Sequence, residues 1–507
     1  CLLLGADWPT FQGDYRRSGA SPERVAPPLA EVWRYRAAHA PAPAWPEPAR
    51  EDVTNRFGNL RAVVAYDRAF HVAVAGGCLV FGSSADDKIY ALDAATGQQR
   101  WSFFTGGPVR LAPTVAGDLV YAGSDDGAVY CLQAADGQLV WRRFVHEPLT
   151  CVPGNGRMIS LWPVRSSIVV DGGIAYAAAG LFPNEGVYLA ALDAKDGAVR
   201  WSRKIGVSSQ GYMLVSPDRL YVPTGRTSPA VFARADGEPL GGLPDGGSAC
   251  VLVTEQDVVA GPSIRPPGIA VADSQTRETL ATFNGLRMVV SGSMAYLQSE
   301  DKLTAFDRVR YLVLARERKS LAEDRKRLTD GEDKSSVTTE RLKAIDARLK
   351  EIAVAQQACR VWSIPCDCPY AMILAGRFLF LGGKNRVVAI DSADGQIVCS
   401  ATVEGTAHGL AAANGCLFAS TDQGVIHCFR PAKDTDTQTA AKVVHATPRE
   451  PVNAPGANDV GFGQFAQRVL AAANCRQGYC ILLGSCKGQL ALELARRSRL
   501  QVIAIEP

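Results

Sequence analysis

No run of eighteen apolar residues occurs in the 507-residue chain, which excludes a membrane-spanning helix. None of the 14 cysteines is adjacent to another and no double CxxC pattern is present. A zinc site of the usual spacing is therefore excluded, and the thiols read as core residues with a few disulfides. Cys366 and Cys368, in "PCDCP", are the closest pair but lack neighbouring zinc ligands. Histidine is scarce: His39, His71, His146, His408, His427 and His445 keep no mutual spacing that holds a metal, and no metal is expected. A surplus of one charge is missing as well. With 54 basic and 51 acidic residues the net charge is +3, which gives no footprint for nucleic acid.

Glycine and proline are plentiful, 48 and 29 residues, as in turn-rich β proteins. The stretch "IYALDAATGQQRW", residues 89–101, returns forty positions later as "VYCLQAADGQLVW", residues 129–141. Gly97 and Trp101 recur as Gly137 and Trp141 and as Gly197 and Trp201, with weaker copies at Gly237 and Gly241, Arg277 and Ala281, and Gly395 and Cys399. Asp93, Asp193, Asp273 and Asp391 stand four before the turn position, where a carboxylate accepts turn N–H groups. Self-similarity at about 40 to 45 residues with four short strands per unit predicts a β-propeller. Each unit has two apolar faces and must stack on its neighbours. The third strands of the units, at residues 89, 129, 188, 229, 268, 302, 387 and 425, count to eight blades, and "LAEVWRYRA", with Trp33 in the outer-strand role, is expected to complete the last blade and close the ring.

The repeats "ALDAATGQQRW" and "ALDAKDGAVRW" and the opening motif "WPTFQGDYRRSG", residues 8–19, resemble the pyrroloquinoline-quinone-type propeller family, which includes quinoprotein dehydrogenases and an outer-membrane assembly lipoprotein. The resemblance covers about residues 8–433 and implies fold more than activity. For a dehydrogenase it implies adjacent cysteines in a ring disulfide, a tryptophan beneath the quinone, and a carboxylate and amide set holding calcium. No "CC" occurs, so pyrroloquinoline quinone is not expected.

The chain is expected to divide into residues 1–6, which read as a signal-peptide remnant ("CLLLGA") and imply export, an all-β eight-bladed propeller over 7–433, a linker over 434–460, and a partial α/β unit over 461–507. Residues 308–358 interrupt blade six. Leu314, Leu321 and Leu328, then Leu342, Ile345, Leu349 and Ile352, mark a helical hairpin, read as a docking arm or a solvated ornament. The loop face of the propeller carries Arg110, Arg157, Arg226, Asn385, Arg386 and His408, which are expected to line a polar funnel for a protein, small molecule or saccharide.

The last segment reads helix, strand "YCILLG", glycine turn, helix, strand "QVIAIEP", resembling the first motif of class I S-adenosylmethionine-dependent methyltransferases. That resemblance implies that Gly484 and Gly488 give the cofactor close backbone approach and that Glu506 binds its ribose. Cys486, where the middle glycine is expected, and Lys487 depart from the pattern. Three functional readings follow: a non-catalytic envelope scaffold fused to a methyltransferase-like unit, a methyltransferase whose propeller is a substrate platform, and a quinoprotein dehydrogenase.

Overall fold

Each forty-residue repeat folds into one antiparallel sheet whose strands pair in chain order. In the first, Val72–Ala75, Cys78–Ser83, Lys88–Asp93 and Gln99–Phe104 follow one another outward. Cys78–Ser83 is buried along its whole length, whereas Gln99–Phe104 buries Trp101 and exposes Arg100, Ser102 and Phe104. The gradient is what period-two strands give when only their inner members are covered on both faces. Five more four-stranded sheets run from Thr114–Ala116 to Leu139–Phe144, Val169–Asp171 to Val199–Ile205, Leu214–Val215 to Pro239–Gly242, Cys250–Val253 to Thr279–Phe283, and Arg287–Ser291 to Arg360–Pro365. The structure, a computed structural model, describes residues 6–45, 65–147, 149–154, 156–225, 227–245, 247, 249–262, 268–331, 335–432, 441–446, 460–484 and 488–505. Most of the expected signal remnant, most of the linker, and Arg226, Cys486, Lys487 and Glu506 lie outside the described residues.

The remaining repeats share an eight-stranded sheet. Ile397–Ala413 is 17 residues long; its first part pairs with Phe378–Asp391 and its second with Cys416–Thr421. Leu29–Arg36 lies antiparallel to Val425–Pro431, with Trp33 opposite Cys428. The leading segment thus supplies the outer strand that the last repeat lacks. Lys442–His445, within the expected linker, pairs parallel on its far side, where unpaired backbone groups of an edge strand would otherwise face solvent. The fold is a β-propeller.

The glycine and tryptophan of the repeat meet across sheets rather than within them. Trp33 lies against Gly97, Trp101 against Gly137, Trp141 against Gly197, Trp201 against Gly237, and Trp362 against Gly395, each ring 2.6 to 2.9 Å from where a β-carbon would stand. The indole N–H groups of Trp33, Trp101, Trp141 and Trp362 donate to the carbonyls of Ala94, Ala134, Ala194 and Ser392 at 3.2, 2.9, 3.0 and 3.0 Å. Where the tryptophan is lost, so is the glycine: Arg277 takes the turn with φ 65° and reaches back over Gly241.

Residues 8–21 thread along the inner strands. Val74 and Trp8 exchange backbone hydrogen bonds of 2.7 and 2.8 Å, and the amides of Val115, Val215, Val253 and Leu374 donate to the carbonyls of Pro9, Tyr15, Arg16 and Gly19. One segment therefore satisfies inner edges of five repeats. Arg17, fully buried, donates to Thr10 Oγ1 (2.8 Å), the Phe11 carbonyl (2.7 Å), the Met213 carbonyl (3.3 Å) and Ser167 Oγ (3.1 Å).

The insertion is a hairpin of helices Arg308–Asp330 and Ser336–Gln357, capped by Asp307 and Ser335. It does not simply project. Its first turns fold back over the preceding sheet, where Arg308 and Arg316 both bind the buried Asp257 and Lys319 pairs with Glu278.

The second compact unit comprises Cys151–Ile159 and Thr447–Pro507. Within it, helix Val460–Ala473 and helix Gln489–Arg497 bury Ala466, Leu470, Leu490 and Leu494 against parallel strands Gln477–Leu483 and Arg499–Ile505. The order of elements is the one the sequence implies. Cys78, Cys131, Cys151, Cys359, Cys366, Cys368, Cys399, Cys416, Cys428, Cys475 and Cys480 are free, which corrects the expectation of disulfides for those positions.

Candidate functional site

The segments that enter each innermost strand, together with the turns between second and third strands, gather polar side chains at one end of the inner strands. Phe11 stacks on Tyr212 at 3.7 Å and meets His71 edge-on at 5.1 Å. These rings close the site from the side of the threaded segment.

Arg110 is buried here. Its Nε donates to Asp125 Oδ2 (2.7 Å), and its Nη1 donates to Asp67 Oδ2 (3.0 Å) and the Ala42 carbonyl (2.8 Å). Asp125 is also held by Arg165 through two hydrogen bonds of 2.9 Å. Burial pushes the Asp125 carboxyl up, but the two guanidinium groups outweigh it and hold it below the usual carboxylate value. Asp67, with one guanidinium partner, is left raised by burial. This network satisfies itself: two carboxylates neutralise two guanidinium groups.

Asn385 and Arg386, in Phe378–Asp391, and His408, in Ile397–Ala413, belong to the last two repeats, each with its own partners. Asn385, exposed with φ 58°, accepts the Gly405 amide at 3.3 Å. Arg386 pairs with Asp367 at 2.5 Å. The half-buried His408 ring stands edge-on to Tyr370 at 5.1 Å. Arg157, in the strand Arg157–Ser160, belongs chiefly with the second unit rather than with this cluster, and Arg226 lies outside the described residues. Gly484 and Gly488 have φ of 74° and 82°, and nothing stands within 4 Å of a β-carbon placed on either. No group of three His, Cys, Asp or Glu able to hold a metal occurs among the described residues.

Sequence reasoning missed Arg17, Arg68, His71, Arg165 and Arg287. All but Arg17 stand at the start of an innermost strand or within four residues before it, as in "RAFHVAV" and "LRMVV", and that placement is the signal by which they could have been found.

No curated protein matches the chain. Solved structures share its fold. Quinohemoprotein alcohol dehydrogenase from Comamonas testosteroni aligns over 91% of this chain and 85% of its own, with 13% identity and a TM-score of 0.53. A europium-containing methanol dehydrogenase aligns over 84% and 98%, with 10% identity and a TM-score of 0.53. The computationally designed Ika8 protein aligns over 72% and 97%, with 12% identity and a TM-score of 0.51. At such identities these likenesses speak for the fold alone. The sequence itself, over residues 30–310, matches the family described as outer membrane protein assembly factor BamB, and the chain belongs to that family.

Proposed function

We propose that the chain is a non-catalytic, eight-bladed binding module of the cell envelope that engages a protein or small ligand, a saccharide included, at its loop face. Six four-stranded sheets and one of eight strands, completed by Leu29–Arg36, support the blade count. The observation that carries the binding reading is the set of polar side chains Asn385, Arg386 and His408 on the last two repeats, in a chain whose family is named for assembly at the outer membrane. A quinone held with calcium needs uncommitted carboxylates. Asp67 and Asp125 are both bound to guanidinium groups, and the residues of the mouth do not fit that group.

A second reading attaches to the second unit, which we take as the start of a doubly wound, Rossmann-like fold. Its parallel strands joined through a helix, and the free space beside the α-carbons of Gly484 and Gly488, fit S-adenosylmethionine as a methyl donor. In that reading the propeller is a substrate platform.

The test is co-purification from the native envelope. The wild-type chain is expected to retain outer-membrane assembly proteins, and Asn385→Ala with Arg386→Glu is expected to cut retention about fivefold or more at unchanged melting temperature. Full retention by the variant, or dye reduction on adding pyrroloquinoline quinone with calcium, contradicts the proposal. Heat on titration with S-adenosylmethionine favours the second reading.

A further inference from the structure

Charge is satisfied unevenly around the mouth. On the side of the second and third sheets, Asp67 and Asp125 complete Arg110 and Arg165. On the side of Arg287–Ser291 and of the first and last repeats, the cations have no such partners. Arg287 is half-buried, and its one acceptor among the described residues is the Pro369 carbonyl. Arg68, just before Val72–Ala75, makes no ion pair among the described residues. The ring of His71, 9% exposed, places Nδ1 2.9 Å from where a β-carbon on Gly409, the residue after His408, would stand. The His408 ring stands 5.1 Å from that of Tyr370, whose neighbour Pro369 accepts from Arg287, and the charges of Asp422, Arg287 and Arg68 act on it. Asp422 Oδ1 already accepts the Thr406 amide at 2.8 Å. Tyr66, Tyr212 and Tyr370 complete the titratable surroundings, and burial raises the phenols of Tyr66 and Tyr212.

The electrostatic consequence is a concentration of positive potential that the protein does not cancel. Burial, then His408 and Arg287, lowers His71 to about 3; burial, then Arg287 and Arg68 against Asp422, lowers His408 to about 4. Burial alone brings Arg287 down to about 10. Both imidazoles are held neutral chiefly by burial, with the cations beside them adding to it, and a partly buried guanidinium left with a neutral acceptor is a standing cost that an anion would relieve. The Arg110 network shows what the same fold does when the cations are there for structure: it supplies the carboxylates.

We propose that His71, His408, Arg287 and Arg68 form a binding site for a small oxyanion, a carboxylate or phosphate group presented at the loop face. The proposal rests on the binding reading above and adds the chemical class of what the mouth accepts. The Phe11 and Tyr212 pair beside His71 gives the body of such a ligand an aromatic wall.

The test is a titration of the full chain, with carbon-13-labelled histidine, against inorganic phosphate and separately against acetate. Saturable shifts of the His71 and His408 ring resonances are expected, with ionisation of both moving up by about one unit or more as the anion takes its place. The exposed His445 is the control and stays still. Arg287→Met is expected to abolish the shifts, Arg287→Lys to retain part of them, and Arg68→Met to weaken binding about tenfold. A response to phosphate and not acetate assigns phosphate esters, and the converse assigns carboxylates. Absence of saturable shifts with either anion up to about 10 mM, or shifts unchanged in both Arg287→Met and Arg68→Met, overturns the proposal. Partner retention measured on the same samples separates the two readings: retention without anion shifts sinks only the anion site, and anion shifts without retention sink only the partner module.

Discussion

A β-carbon on Gly137 would stand 2.6 Å from the Trp101 ring, in a backbone with φ 74°. Gly137→Ala is therefore expected to cost roughly 2 kcal/mol or more, strain and steric displacement acting together. Gly415→Ala, at φ 72° with nothing within 4 Å, is expected to cost about 1 kcal/mol. Urea midpoints at constant slope make the comparison; equal losses would mean that the tryptophan gives way freely. The glycine and tryptophan were legible in the sequence as a period. Their partnership was not, because each tryptophan covers the glycine of the next repeat, a contact that spacing within one repeat cannot show. The same limit explains Arg110. An arginine after "GGPV" reads as rim, and only the fold brings Asp125 and Arg165 to it. Asp125→Asn is expected to cost about 3 kcal/mol or more by leaving two buried guanidinium groups short of charge. Because its folded pKa is depressed, the Asp125 contribution is fully present above the ordinary carboxylate value of 3.8 and is lost as pH falls through the folded value. Thermal melts of wild type and Asp125→Asn that keep a constant gap from pH 7 down to pH 2 would refute this.

At the scale of elements, the helical hairpin was legible from its leucines. Leu314, Leu321 and Leu328 are half-buried and Ile345 and Ile352 are buried, as the three-and-four spacing predicts. What spacing could not show is the anchorage, because Asp257 sits in the preceding sheet and nothing local marks it as a partner for Arg308 and Arg316. Burial leaves the Asp257 carboxyl raised even with both arginines beside it. Excising residues 308–357, and with them both arginines, for a short turn is accordingly expected to weaken the propeller by stranding that carboxyl, and Asp257→Asn in the excised chain is expected to restore about 1 to 3 kcal/mol. The same substitution in the intact chain is expected to destabilise. Calorimetry on the four proteins checks the reversal of sign; no reversal would mean that the arm stabilises through packing rather than charge.

At the scale of the whole propeller, the ends of the chain meet in one sheet. Glu31, on the leading strand, accepts from Arg34 and from His427 Nδ1 at 2.6 Å, while His427 Nε2 accepts the Glu404 amide at 3.1 Å. Burial raises the Glu31 carboxyl, but the hydrogen bonds from His427 and Arg34 outweigh it and hold it low. Its contribution to closure is complete above the ordinary glutamate value of 4.5 and lost as pH falls through the depressed one. Closure by the Trp33 segment was legible because the last repeat visibly lacks an outer strand. The threading of residues 8–21 was not, since backbone hydrogen bonds to five repeats leave no pattern in side chains. Native-state hydrogen exchange across Leu29–Arg36 and Val425–Pro431 tests closure most directly. Amides of both strands are expected to exchange together, in the most protected step of the propeller and at the same free energy. Early exchange of Leu29–Arg36 while Val425–Pro431 remains protected would show an open ring, and the account of the fold and its mouth would fail with it.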